Sequence, residues 1–100
     1  MTKVSVLVVA SAFSMLPFAT QAADDAKAQA TLKKEGCLRC HSVTAQKDGP
    51  SYKSVAEKYK GKADAEATLT AHLTKSEKHA HIKSKDEGEL KNLVQYILSR

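Results

Sequence analysis

Apolar positions fall into two regimes along the chain. Between Val4 and Phe18 they are nearly continuous, relieved only by Ser5, Ser11, Ser14 and Pro17. From residue 24 onward they are spaced by threes and fours, the period of a helix with one apolar stripe. Ala26, Ala28, Ala30, Leu32, Lys33 and Lys34 are good helix formers that follow the acidic cap Asp24-Asp25 and precede Gly36. They predict a first helix over about 24–35. Tyr52, Val55, Ala56 and Tyr59 recur at i, i+3, i+4 and i+7, which predicts a short helix from about Ser54 to Lys60, stopped by Gly61. A third is expected over about 65–74, where Leu69 and Leu73 share a face. Leu90, Leu93, Val94, Ile97 and Leu98 trace the strongest stripe, a last helix that begins after Asp86-Glu87 and runs to the C-terminus. No β-branched alternating segment occurs after the first two dozen residues, so the expected fold class is all-α, with about four short helices.

The N-terminal run reads as a secretory signal peptide. Lys3 supplies the positive start, the apolar stretch is short, and Ala19-Thr20-Gln21-Ala22-Ala23 gives small residues around a cleavage point after Ala22 or Ala23. A single-span anchor is the rival, but it needs about 20 apolar residues and Pro17 interrupts a shorter run. Residues 1–22 are therefore expected to be removed, leaving residues 23–100 as one domain. The chain carries 16 Lys+Arg against 11 Asp+Glu, a mild net charge of +5 scattered along its length. A domain this small buries only about 60% of its unfolded surface and usually needs a disulfide, a metal or a cofactor as a staple.

The chain's two cysteines suggest what that staple is. Cys37-Leu38-Arg39-Cys40-His41 is the C-x-x-C-H pattern of c-type haem attachment. Two thiols three residues apart can each add to one vinyl group of a haem, and the adjacent histidine is then held beneath the iron. A simple disulfide leaves the histidine without a role. A thioredoxin-like redox pair needs a βαβ context, and a structural zinc site needs four ligands, usually with a second pair at a set interval. After the motif, Asp48-Gly49-Pro50 is a turn signal, so a proline stiffens the loop behind His41.

Residues 24–100 as a whole resemble a class I cytochrome c of the short bacterial kind. The resemblance rests on Gly36 before C-x-x-C-H, on Gly49-Pro50-Ser51-Tyr52 soon after it, and on the aromatic Tyr96 near the end of the last helix. It implies an all-α fold around one haem c, with the first and last helices crossing near Gly36 and Tyr96. It further implies that the Pro50 carbonyl accepts the Nδ1–H of the proximal ligand His41.

The chain departs from that family in one place. Such cytochromes ligate the far side of the iron with a methionine in a Met-Pro loop, and the only methionines here are Met1 and Met15. Counted back from the last helix, the family's methionine falls at or near Lys78-His79-Ala80-His81. Family register favours His79 as the distal ligand, with His81 the alternative and an open sixth position the third case. His72 shares a face with Leu69 and Leu73, where it can hydrogen-bond a haem propionate or pad the core.

Imidazole in place of methionine favours ferric iron and a low potential. The expected function is thus a periplasmic electron carrier, passing single electrons between redox partner proteins, with His/His ligation. The alternatives are a haem-based diatomic-ligand binding protein or sensor whose sixth site is labile or open, and a small haem subunit of a periplasmic oxidoreductase. A free carrier is expected to be a monomer. No carboxylate pair, nucleophile–base pair or second metal site suggests an enzyme. Lys33, Lys34 and Arg39, then Lys47, Lys53, Lys58, Lys60 and Lys62, can form a positive rim for an acidic partner, and Lys75, Lys78, Lys83 and Lys85 fit the same idea. The alternative is an ordinary solubilising coat of lysine. The absence of any base-stacking aromatic array argues against nucleic acid.

Overall fold

The computed structural model describes residues 23–100, so the expected signal peptide and its cleavage point lie outside the described residues. Four α-helices follow one another: α1 (Asp25–Lys34), α2 (Tyr52–Tyr59), α3 (Ala65–Lys75) and α4 (Glu87–Leu98). A single 3₁₀ turn, Cys37–Arg39, lies between α1 and α2. There is no strand among the described residues, and no helix there is long and apolar enough to cross a membrane. The expected all-α class and the four helices are observed, with ends within a residue or two of those read from periodicity.

Side-chain caps define three of the helix starts. Asp24, Ser51 and Asp86 accept the backbone N–H of Lys27, Ser54 and Glu89, each at 3.1 Å. Those caps satisfy donors that the first helical turn leaves unpaired. Because Ser51 is the cap, α2 begins at Tyr52, two residues before the expected Ser54, and this places the Tyr52 ring inside the core.

Helices of 10, 8, 11 and 12 residues are too short to persist alone, so packing must hold them. α4 is the centre: α1, α2 and α3 each pack against it. It contributes Leu93, Val94, Tyr96 and Ile97, which cluster with Ala28 and Leu32 of α1, Tyr52 of α2, and Leu69 and Leu73 of α3. Asn92 ties the start of α1 to α4, accepting the Asp24 N–H at 2.8 Å and donating to the Asp24 carbonyl at 3.0 Å. Arg100, just past the end of α4, braces the same end of α1, stacked 4.1 Å over the Tyr96 ring and 3.3 Å from Asp25.

Between α3 and α4 the chain crosses as a strap without regular secondary structure, residues 76–85. Its fixed point is Ile82, whose side chain packs on the core and whose N–H donates to the Leu73 carbonyl at 3.0 Å. Glu89 adds a polar knot where α1, α4 and the strap meet. Its carboxylate accepts from Lys34, from Thr31 at 3.1 Å and from Ser84 at 2.8 Å. Lys34 foremost, and then Ser84, hold the Glu89 carboxyl below the usual carboxylate range. Lys34 is thus committed within the fold, unlike the free rim lysine expected from the sequence.

Candidate functional site

The cysteine motif leaves α1 through Gly36, whose φ of +70° lies in the left-handed region that favours glycine. The reason for glycine differs from the close helix crossing expected there. A Cβ on Gly36 meets nothing nearer than the Arg39 side chain at 3.6 Å, so the backbone reversal is what requires it. In the turn that follows, the N–H groups of Cys40 and His41 both donate to the Cys37 carbonyl, at 3.2 and 3.1 Å. Two free thiols, Cys37 half-buried and Cys40 exposed, and one imidazole therefore issue from a single tight loop. Burial pushes the Cys37 thiol up, against an opposing contact from Tyr52.

Three contacts orient the His41 ring. Its Nδ1 lies 2.7 Å from the Pro50 carbonyl. A carbonyl only accepts, so the proton sits on Nδ1 and the Nε2 lone pair is left for a metal. Tyr52 stacks on the ring with centroids 5.2 Å apart and planes 20° from parallel. Burial first, and Cys37 beside it, raise the Tyr52 hydroxyl, so it stays neutral. Gly49 forms the third side: a Cβ there would lie 2.4 Å from His41 Cε1. The sequence showed Gly49 as a turn residue but not this steric role, which depends on where the His41 ring comes to rest.

That contact carries a prediction. Gly49→Ala forces the proximal ring or its loop to move, and overpacking of this kind costs about 1–3 kcal/mol. For a domain of this size each kcal/mol lowers Tm by roughly 4–8 °C. A thermal melt of the haem-loaded variant checks it; a melt identical to wild type would mean that the loop absorbs the methyl group freely.

Across from His41 the strap brings His79, its ring centroid 5.9 Å away and its plane tilted 27°. His79 Nδ1 is 2.6 Å from the Ala80 carbonyl, so here too the proton sits on Nδ1 and Nε2 is free. His81 differs: its Nε2 donates to the Ser76 carbonyl at 2.7 Å and the side chain is exposed. His72 neither pads the core nor is buried. It is exposed on α3 with its ring 4.9 Å from that of His79 and tilted by 53°. Partial desolvation, then His79, Lys58 and His41 nearby, lower its pKa. Of the three late histidines, the fold brings His79 and His72 to His41 and turns His81 away.

These features belong together in a known framework. The cytochrome c family model matches residues 26–100. This chain belongs to the cytochrome c family. Among its relatives, cytochrome c-552 of Hydrogenobacter thermophilus is 36% identical over 73 residues, which span 67% of this chain and 74% of that protein. Cytochrome c-551 of Pseudomonas aeruginosa is 44% identical over 41 residues, covering 41% of this chain and 39% of the relative. Two solved structures are also similar. The class 1 cytochrome MtoD from Sideroxydans lithotrophicus superposes with a TM-score of 0.74 at 45% identity, over 78% of this chain and 97% of MtoD. Cytochrome c552 of Nitrosomonas europaea superposes with a TM-score of 0.59 at 28% identity, over 71% and 96% of the two chains.

The chain is thus a small monohaem cytochrome c of the class I, bacterial type, an electron-transfer protein with one covalently attached haem c. The attachment motif of this cytochrome is Cys37-Leu38-Arg39-Cys40-His41. Its residues fit the group by their own chemistry: two free thiols beside an imidazole whose Nε2 is unprotonated and whose Nδ1 is already engaged. The homologues act with redox partner proteins.

Proposed function

We propose that this cytochrome is a periplasmic carrier of single electrons whose haem iron is held by His41 on one side and His79 on the other. The observation that supports it is the pair of imidazoles facing each other at 5.9 Å, each with Nδ1 on a carbonyl and Nε2 free. His41 and His79 would hold the iron through their free Nε2 atoms, and the 5.9 Å between their ring centroids leaves room for it. His81 lacks that geometry, because its Nε2 proton is committed to Ser76. The haem supplies the redox-active iron; the remaining work falls to the chain.

Cys37 and Cys40 tether the haem, Pro50 fixes the tautomer and direction of His41, and Tyr52 and Gly49 hold the ring in place. The carbonyl of Ala80 does for His79 what Pro50 does for His41. With nitrogen on both faces in both oxidation states, little rearranges on electron transfer, and ferric iron is favoured. The domain, residues 23–100, is exported by the apolar leader 1–22 and works without catalysis of its own. Redox partners dock at the attachment loop, where Leu38 and Arg39 are exposed, Arg39 forms no ion pair among the described residues, and Lys47 donates to the Leu38 carbonyl at 2.8 Å.

The test is the optical spectrum of the matured protein, oxidised and reduced, with and without carbon monoxide. A low-spin ferrous spectrum that carbon monoxide leaves unchanged, or shifts only slowly, is expected. Immediate conversion by carbon monoxide would instead indicate an open sixth position and a role in binding diatomic ligands.

A further inference from the structure

The strap that carries His79 is tied directly to the root of the attachment loop by one carboxylate. Glu35 Oε2 accepts the Lys83 N–H at 2.9 Å and Glu35 Oε1 accepts the Ser84 N–H at 3.0 Å. Two consecutive backbone N–H groups thus converge on a single anion, and hydrogen bonds to an ionised acceptor are about twice as strong as neutral ones. Glu35 is itself the C-cap of α1, its own N–H donating to the Thr31 carbonyl at 2.9 Å, and it directly precedes Gly36-Cys37. The clamp therefore links the strap to the residue pair from which the haem-attachment loop departs.

Other ties on the strap do not do this. Ile82 bonds back to Leu73 of α3, and Ser84 Oγ donates to Glu89 of α4. The first fixes the strap to α3, and the second reaches α1 only indirectly, through the Glu89 carboxylate that also accepts from Lys34 and Thr31. The bonds of His79 and His81 are local, to Ala80 and Ser76. Residues 76–81 thus hang between α3 and the Ile82–Ser84 anchor, with no proline to stiffen them. How far His79 can withdraw from His41 depends on that anchor.

We infer that Glu35 is a positioning residue for the distal ligand: by clamping Lys83 and Ser84 to the root of the attachment loop, it keeps His79 opposite His41. The inference rests on His79 being that ligand. Without the clamp, the strap frays from its C-terminal end and His79 spends more time away from the iron, while the helices and the tether remain.

The experiment uses the matured holoprotein, reduced and mixed rapidly with saturating carbon monoxide, so that the rate of binding reports release of His79. Wild type is compared with Glu35→Ala, with the milder Glu35→Gln, and with Asp24→Ala, which removes an α1 cap far from the strap. Glu35→Ala is expected to bind carbon monoxide about tenfold faster than wild type, a difference of about 1.4 kcal/mol in the release barrier. Glu35→Gln, which keeps one acceptor oxygen, should fall between them, and Asp24→Ala should match wild type even where its Tm is lowered. In ferric protein the amide protons of Lys83 and Ser84 should also exchange faster in Glu35→Ala.

Equal carbon monoxide rates in the Glu35 variants and wild type would overturn the clamp while leaving His79 as ligand. Acceleration by Asp24→Ala to the same degree would overturn it too, reducing the effect to general loss of stability. If wild type itself binds carbon monoxide at once, the assignment of His79 fails first, and the clamp with it. That outcome is visible before any variant is made.

Discussion

His79→Met is expected to raise the reduction potential by on the order of 0.1 V or more, a fraction of the roughly 0.8 V that axial ligands command. Thioether sulfur donates less electron density to iron than imidazole and so stabilises the ferrous state relative to the ferric. The strap already brings residue 79 within an iron's span of His41, the two rings standing 5.9 Å apart. A flexible methionine can meet the metal from there. The companion change His81→Ala should leave the potential and spectrum unaltered, because the Nε2 of His81 serves only the Ser76 carbonyl. A potentiometric titration of both variants decides the matter. An unmoved potential in His79→Met together with a moved one in His81→Ala would transfer the ligand to His81.

The double variant Cys37→Ala, Cys40→Ala is expected to lose cooperative folding. Among the described residues the buried apolar core consists of ten side chains, and two of these, Ala28 and Ala56, are alanines. Each contributes little surface at about 25 cal/mol per Å². Set against roughly 1–2 kcal/mol of backbone entropy per ordered residue, so small a core leaves little margin. The haem supplies the missing apolar surface, and its covalent attachment keeps it there. Without the tether, helices of 8 to 12 residues have too little to pack on. Far-ultraviolet circular dichroism of the haem-free variant should show reduced helicity and a broad melt. A sharp melt with full helicity would show that the four helices suffice.

Both expectations separate what was legible along the chain from what was not. The helices were legible because each carries its apolar positions within a dozen residues, and all but α3 carry a side-chain cap as well. The stripe from Leu90 to Leu98 is the clearest, and it became α4, on which everything else packs. The start of α2 was read two residues late because Ser51, not the turn Asp48-Gly49-Pro50, ends the loop by capping Ser54. The spacing of His72 to Leu69 left it either facing inward or at the edge of the apolar face, and the structure has it exposed at the edge. One apolar face on α3 covers Leu69 and Leu73, but the residue at its edge is left outside, beside His79. Gly36 was legible as the residue that stops α1, and its φ of +70° bears that out, whereas the close backbone approach implied by the family resemblance is not what requires glycine there.

The sequence by itself determined the all-helical class and the chemistry of haem attachment. C-x-x-C-H is a covalent instruction written in five adjacent residues, and its neighbours cannot move those thiols apart. Pro50 as partner of His41 was implied by the family resemblance, and the structure has its carbonyl 2.7 Å from His41 Nδ1. The tertiary structure alone decided the rest: which of three histidines faces His41, that Gly49 must lack a side chain, and that Glu35 grips the strap at Lys83 and Ser84. The first and last of these depend on groups 38 to 49 residues apart in the chain, brought together only when α1, α3 and α4 pack, and the second on where the His41 ring comes to rest. Spacing along a sequence carries no information about such pairs, since their geometry is set by the balance of burial and hydrogen bonding over the whole domain.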